Sequence, residues 1–128
     1  MKRLSLVNVL VTDQDEAIRF YRDKLGFVVA EDVPFGEERW VTLRAPDDES
    51  VAISLGLAKS HEDRRLVGKQ GGSQPLLGVR VDDCMAEYKR MRNAGVKFQG
   101  EPQVQPYGTG VRLEDLYGNS IYINQEPA

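Results

Sequence analysis

Hydrophobic and polar positions alternate at the start of the chain and then change to a helical period. Valines occupy every second position from Val7 to Val11, which is the period-two pattern of a strand. Asp13 then stands where a helix N-cap is expected, with Glu16 three residues later, and Gly26 follows the last apolar residue of the helical pattern. Residues 4–27 are therefore predicted to form a strand followed by a helix.

The same pattern returns about seventy residues later. A shift of 70 positions places Leu6 on Leu76 and Asp13 on Asp83, so the strand alternation and the capping acid both reappear. The second helix is predicted to end at Gly95, one residue earlier than this shift would place it. Because the period, the cap and the helix stop keep nearly one register, we interpret the chain as two related modules.

Three further strands are predicted in the first module. They cover residues 28–33, 40–45 and 51–57, with a turn at 34–39 in which Pro34 and Gly36 interrupt regular structure. The shift of 70 lays residues 40–54 over residues 110–124 and places Ile53 on Ile123. Residues 96–102 are predicted to supply a strand and a turn in the second module.

Residues 57–75 differ from the modules because they contain few apolar side chains and end in glycine, glutamine, serine and proline. This composition predicts a linker or a mobile flap between module one, residues 1–56, and module two, residues 76–128. Both modules are expected to belong to one domain, residues 1–128. The single histidine, His61, lies in this polar segment, which favours a solvated side chain over a catalytic one.

Composition narrows the possible partners. The chain has 128 residues, of which 41% are hydrophobic and 29% charged, and this balance indicates one globular domain. A net charge of −3 without a basic run argues against binding nucleic acid. No apolar run is long enough for a membrane span, and no secretory segment is evident, so we expect a cytoplasmic protein. A single cysteine excludes an internal disulfide, and Cys84 is predicted to be a buried residue instead of a nucleophile.

Strand alternation assigns one face of each predicted sheet to the core, under the helix. The predicted core residues are Val7, Val9, Val11, Leu77, Val79, Val81, Val111, Leu113, Ile121 and Ile123. The opposite, concave face would carry Leu6, Asn8, Leu10, Trp40, Thr42, Arg44, Ala52, Ser54, Leu76, Arg80, Arg112, Tyr122 and Asn124. Two such faces side by side predict a trough for a small molecule.

Two segments resemble the vicinal oxygen chelate superfamily, which includes glyoxalase I, extradiol dioxygenases, fosfomycin-modifying proteins and bleomycin-resistance proteins. They are VTDQDEAIRFYRDKLGF at residues 11–27 and LEDLYGNSIYINQ at residues 113–125. The second is similar to the family's D-P-D-G-N segment, with Leu116 where proline is usual and Tyr117 where aspartate is usual. The resemblance implies an α+β fold of paired βαβββ modules, with a curved mixed sheet that encloses a cavity, assembled as a homodimer.

Metal-dependent members of this family bind the ion through histidine or glutamate on the first and last strands of each module. Carried over to this chain, those positions are Leu6 and Leu76 on the first strands, and Ala52 and Tyr122 on the last strands. Ser54 takes the place of Ala52 if the strand slips by one pleat. None of these residues has the imidazole or carboxylate that divalent ions use as ligands. We therefore expect no metal and no other cofactor.

The predicted floor of the trough offers two kinds of ligand contact. Arg44, Arg80 and Arg112 match an anionic group, or else they pair with neighbouring glutamates such as Glu38, Glu49 or Glu114. Trp40 and Tyr122 can stack on an aromatic ligand, or they pack within the protein.

Two further positions are candidates on other grounds. Tyr107 lies in VQPYGTG, a segment that resembles the loop closing the cavity in family members, so it is a lid residue or part of a surface turn. Asn8 carries an amide in an apolar stripe and needs partners from a ligand or from a neighbouring strand. The complete set of predicted ligand-binding residues is Asn8, Trp40, Thr42, Arg44, Ser54, Arg80, Tyr107, Arg112, Tyr122 and Asn124.

These observations predict a metal-free protein that binds or sequesters a small anionic or aromatic molecule, similar to bleomycin-resistance proteins. The alternative is a glyoxalase-like lyase or dioxygenase with a divalent metal. That alternative requires carboxylates such as Glu49, Glu114 or Glu126 to converge with His61.

Overall fold

The computed structural model describes all residues from Met1 to Ala128 and divides into two units, Met1–Val67 and Gly68–Ala128. The first unit contains β1 (Leu6–Val11), α1 (Gln14–Arg19), a π-helical turn (Phe20–Lys24), β2 (Val28–Phe35), β3 (Glu38–Arg44), β4 (Ala52–Leu57) and α2 (His61–Leu66). The second contains β5 (Leu77–Arg80), α3 (Cys84–Asn93), β6 (Gln103–Gln105), β7 (Gly108–Glu114) and β8 (Ser120–Gln125). No helix of the chain has the length and apolar character needed to cross a membrane.

The two units share one topology. Strand order is β1-β4-β3-β2 in the first sheet and β5-β8-β7-β6 in the second. In each sheet the first and last strands pair in parallel, and the other neighbours pair antiparallel. The predicted α+β fold of two βαβββ modules is thus confirmed.

Both main helices begin and end as the sequence predicts. An oxygen of Asp13 accepts a hydrogen bond from the backbone N–H of Glu16 at 3.0 Å, and Asp83 does the same for Ala86 at 3.0 Å. Gly26 and Gly95 follow the helices with φ of 86° and 90°, a left-handed conformation that favours glycine. The segment from Asp13 to Gly26 is one residue longer than the segment from Asp83 to Gly95. The first helix continues into a π-helical turn, which accommodates the additional residue, whereas α3 is α-helical throughout.

The predicted equivalence of the last strands is wrong by two residues. Leu43 lies opposite Ile53 in the first unit, whereas Leu113 lies opposite Ile121 in the second. The loop between the strands covers residues 45–51 in the first unit but only residues 115–119 in the second. Because side chains alternate with a period of two, this slip keeps every residue on its predicted face. It also makes Ser54, and not Ala52, the counterpart of Tyr122.

Three local predictions also differ from the structure. Pro34 lies within β2, where an edge strand can accommodate a residue without a backbone N–H. The segment predicted to be a linker or flap contains α2, whose N-cap Ser60 accepts a hydrogen bond from the backbone N–H of Asp63. The strand predicted at residues 96–102 is reduced to an isolated bridge between Phe98 and Leu113, and β6 forms the sheet edge instead.

The core lies on the helix-covered face of each sheet, as predicted. Its buried members include Val9, Val11, Val111, Leu113, Ile121 and Ile123. Val7, Leu77, Val79 and Val81 are only half-buried, which corrects their assignment. All four lie on or next to β1 and β5, which are edge strands and have a neighbouring strand on one side only.

Candidate functional site

A row of polar side chains crosses the first sheet on the face opposite α1, which we call the inner face. Asn8 lies opposite Ser54, Ser54 opposite Thr42, and Thr42 opposite Glu31, so the row includes all four strands. Residues directly opposite one another in a sheet project to the same face, and neighbouring strands lie about 4.8 Å apart. We refer to Asn8, Ser54, Thr42 and Glu31 as the polar row.

The polar row is connected to the only tryptophan of the chain. The hydroxyl of Thr42 and the indole N–H of Trp40 both donate to Oε1 of Glu31, each at 3.2 Å. Thr42 and Ser54 are buried, with 1% and 4% of their surfaces exposed, whereas Glu31 is exposed. A carboxylate, an indole and two hydroxyls are therefore gathered on one face.

A β-bulge brings Glu31 to this face. Val29 lies opposite Leu43, yet Glu31 lies opposite the next residue of β3, Thr42, so Ala30 is an additional residue in β2. A bulge of this kind changes the direction of the side chains that follow it. Glu31 was absent from the predicted site because alternation along residues 28–33 gives no sign of the bulge.

The second unit carries a different set of side chains in the corresponding row. Gly78 lies opposite Tyr122, and Tyr122 lies opposite Arg112. The phenol of Tyr122 extends over Gly110, where a Cβ atom would come within 2.1 Å of its hydroxyl oxygen. A Cβ at Gly78 would meet no atom within 4 Å. The absence of a side chain at Gly78 on β5 and at Gly110 on β7 therefore leaves space on both neighbours of β8. The ring of Tyr122 occupies the space over Gly110 and leaves the space over Gly78 open.

The three arginines predicted to bind a ligand differ in the hydrogen bonds and ion pairs that they form within the protein. Arg80 donates from Nε to Asn124 at 2.6 Å and forms an ion pair with Glu126, a partner that was not among the predicted glutamates. Arg44 donates to the backbone carbonyls of Ala45 and Pro46. Arg112 donates to the carbonyl of Ser73 at 3.1 Å and forms no ion pair. Arg112 is thus the one with most capacity left for an anion.

The remaining candidates are placed as follows. Asn124 also donates to the carbonyl of Val79 at 3.3 Å, so its amide is part of the sheet edge together with Arg80. Tyr107 is 72% exposed in the two-residue turn between β6 and β7, away from the row of Tyr122 and Arg112. The structure therefore groups Asn8, Trp40, Thr42 and Ser54 in the first unit and pairs Arg112 with Tyr122 in the second.

The positions that hold metal in related enzymes do not fit an ion here. Leu6, at the start of β1 opposite Ala52, and Leu76, immediately before β5, have hydrocarbon side chains that offer no donor atom to an ion. The last strands offer the Ser54 hydroxyl and the Tyr122 phenol. Nowhere in the chain are three or more histidine, cysteine, aspartate or glutamate side chains grouped so as to hold a metal ion. His61 is exposed at the start of α2.

Cys84 is buried at the start of α3, which confirms its prediction as a core residue. Its Sγ lies 3.9 Å from the carbonyl oxygen of Ile123. Burial raises the pKa of the Cys84 thiol, and the negative charges of Asp83 and Glu87 raise it further. A thiol with a raised pKa is a poor nucleophile at neutral pH.

Known proteins resemble this chain over nearly its full length. Residues 3–123 match the family described as the Glyoxalase/Bleomycin resistance protein/Dioxygenase superfamily. A protein from Shewanella frigidimarina is 40% identical over 115 residues, which are 88% of this chain and 85% of that protein. YurT from Bacillus subtilis is 35% identical over 128 residues, which are 97% of this chain and 99% of YurT.

Solved structures show the same similarity. UcmS2 has a TM-score of 0.86 and 36% identity, over 97% of this chain and 98% of UcmS2. TnmS3, described as an antibiotic binding protein from Streptomyces sp. CB03234, has a TM-score of 0.81 and 29% identity, over 99% and 98% of the two chains. With the βαβββ units and the family match together, the chain belongs to the Glyoxalase/Bleomycin resistance protein/Dioxygenase superfamily.

Proposed function

We propose that this protein binds and sequesters a small aromatic molecule without a metal ion. The observation that carries the proposal is the polar row beside Trp40, joined to the indole through Glu31. An indole offers a stacking surface, and nearby hydroxyl, amide and carboxylate groups fix the orientation of a ligand. The similarity to TnmS3, whose description is that of an antibiotic binding protein, supports the same class of function.

The chemistry of the candidate metal positions supports binding over metal-assisted catalysis. Related enzymes need imidazole or carboxylate groups there, and this chain has leucine, serine and tyrosine side chains. A fold shared by many activities does not by itself carry one of them over.

The fluorescence of Trp40 provides a direct test, because the chain contains one tryptophan. Three planar dyes serve as probes: cationic 9-aminoacridine, anionic anthraquinone-2-sulfonate and neutral 1-aminoanthraquinone. We expect saturable quenching by at least one dye, unchanged by a chelator, and weaker binding by Trp40→Ala in calorimetry. Absence of saturable quenching by all three would contradict the proposal. Stoichiometric metal in chelator-free protein, with binding lost on its removal, would instead favour the lyase or dioxygenase.

Whether an anionic group of the ligand contributes to binding is tested at Arg112. Of the three candidate arginines, Arg44 and Arg112 form no ion pair, and Arg112 makes fewer hydrogen bonds within the protein. Replacing Arg112 by Ala is expected to weaken anthraquinone-2-sulfonate binding about tenfold, since charged hydrogen bonds contribute about 1.5–3 kcal/mol. The thermal midpoint should change little. Arg90→Ala, in an exposed pair with Glu87, is the matched control. A lowered midpoint with unchanged binding would make Arg112 a structural residue.

We further propose that the protein is a cytoplasmic homodimer. The family resemblance supports a dimer, and a lone buried thiol without a disulfide suits a reducing compartment. Sedimentation equilibrium should then give twice the mass of one chain at micromolar concentration, and the mass of one chain would contradict it.

A further inference from the structure

The carboxylate on the inner face of the first unit points to the charge of the ligand. We propose that Glu31 is the residue that selects the ligand by charge, and that the ligand carries a cationic or hydrogen-bond-donating group beside its aromatic ring. This inference rests on the function proposed above. It predicts a preference opposite to the one that the three arginines suggest.

The backbone of β2 is arranged so that Glu31 reaches this face. Without the additional residue at Ala30, regular pairing would place Ala30 opposite Thr42 and Glu31 opposite Val41. Val41 lies on the helix-covered face, so a carboxylate opposite it would be directed away from Trp40 and Thr42, as that of Asp32 is in the structure. Bulges that redirect a side chain occur next to functional sites. The bulge therefore determines that the charge is presented on the inner face.

The hydrogen bonds around Glu31 leave only acceptors for a ligand. Trp40 can donate but not accept, and its N–H is directed to Oε1 of Glu31. Thr42 also directs its hydroxyl proton to this oxygen, so its lone pairs remain. The second carboxylate oxygen, Oε2, makes no hydrogen bond within the protein. A ligand group that contacts this end of the polar row must therefore donate, and a cationic donor gains most from the charge.

No cation of the protein neutralises Glu31. The nearest arginine along β3 is Arg44, two residues from Thr42 on the same face, and it donates to the backbone carbonyls of Ala45 and Pro46. Arg39 is directed to the other face, where it forms ion pairs with Asp15 at 2.7 Å and Asp32 at 2.8 Å. Asp32 is the neighbour of Glu31 in β2 and lies opposite Val41, on the other face of the strand. Two consecutive acids on β2 thus have different roles, since Asp32 holds Arg39 and Glu31 stays unpaired beside the indole.

The same fluorescence titration tests the assignment. For the unaltered protein at low salt, we expect tighter binding of 9-aminoacridine than of anthraquinone-2-sulfonate, with the difference reduced as ionic strength rises. Glu31→Gln keeps an oxygen that accepts from Trp40 and Thr42 but removes the charge. It should weaken 9-aminoacridine about tenfold and leave the neutral dye within about twofold. Glu37→Gln, in the turn between β2 and β3, is the matched control and should change neither.

The outcomes separate this inference from the proposed function. If the dyes bind but the anionic one binds more tightly, or if Glu31→Gln changes all three dyes alike or none of them, the assignment of Glu31 is wrong and binding itself stands. If no dye quenches Trp40 saturably, both the binding function and the assignment are wrong.

Discussion

At the scale of single residues, the buried carboxylate of Asp115 accepts three hydrogen bonds within one loop. Its Oδ1 accepts from the backbone N–H groups of Tyr117 and Asn119, each at 2.9 Å. Its Oδ2 accepts from the side-chain amide of Asn119 at 2.9 Å. These bonds close the loop between β7 and β8, where Gly118 has a φ of 93°. In this protein, the part of residues 113–125 that resembles the family's D-P-D-G-N segment therefore forms a turn that Asp115 stabilises.

Replacing Asp115 by Ala should lower the free energy of unfolding by about 2–4 kcal/mol, because buried N–H groups lose their acceptors. Urea denaturation measures this change. The control is Asp48→Ala in the loop between β3 and β4, whose carboxylate bonds Ser50 in an exposed turn. We expect a smaller loss there, since water can replace the bonds. Equal losses in the two variants would contradict the importance of burial.

At the scale of elements, one glutamine attaches the first helix to its sheet. The side-chain amide of Gln14, at the start of α1, donates to the carbonyls of Leu55 at 2.9 Å and Arg39 at 3.1 Å. These carbonyls belong to β4 and β3, so a single side chain joins three elements. Gln14 is 9% exposed, which excludes most water from these bonds.

We expect Gln14→Ala to reduce the free energy of unfolding by about 1–3 kcal/mol, the usual cost of leaving buried acceptors unsatisfied. Chemical denaturation followed by circular dichroism provides the measurement. Gln105→Ala, at an exposed position of β6, is the control and should change stability by less than about 0.5 kcal/mol. A Gln14 variant as stable as the control would show that apolar packing alone holds α1 in place.

Gly78 and Gly110, the two glycines beside Tyr122 in the second unit, allow a paired test of the position of the Tyr122 ring. Gly110→Ala places a methyl group in the space of the phenol and should cost about 1–3 kcal/mol as the ring is displaced. Gly78→Ala meets no neighbouring atom and should be neutral or slightly stabilising. Near-ultraviolet circular dichroism and urea denaturation of both variants check this difference. Equal behaviour would contradict the observed ring position.

Residue patterns within short segments predicted most helices and strands. The features that they did not predict depend on how distant segments pair with one another. The two capping aspartates and the two helix-ending glycines act within a few residues of themselves, so their roles can be read directly from the sequence. The π-helical turn and the two-residue slip of β8 depend on how many residues each loop must contain. The sequence showed the one-residue difference between the helices, but not the conformation that takes it up.

At the scale of the whole molecule, the two units repeat one topology but not one chemistry. The first inner face carries the polar row with Trp40, and the second carries Tyr122, Arg112 and two glycines. The helix-covered faces are apolar in both. Duplicated backbones thus preserve the core, while the inner faces have different side chains.

An aspartate introduced on the helix-covered face is expected to reduce stability more in β1 than in β5, because Val9 is more deeply buried than Val79. Val9→Asp should abolish cooperative thermal unfolding, since Val9 is fully buried and an unpaired carboxylate there costs several kcal/mol. Val79→Asp, at a half-buried position, should lower the midpoint but leave a folded protein. Calorimetry of both variants provides the test. A Val9 variant that melts cooperatively at the original temperature would mean that the faces are assigned backwards.

The sequence by itself determined the βαβββ repeat, the helix boundaries, the core face of β1, β5, β7 and β8, and the residue types at the candidate metal positions. These follow from periodicity and from contacts between near neighbours in the chain. Only the tertiary structure decided that Ser54 corresponds to Tyr122, that Arg80 pairs with Glu126, and that Glu31 joins the inner face. The reason is physical: strand register, bulges and ion pairs form between segments far apart in the chain, and no local pattern specifies which residues will meet.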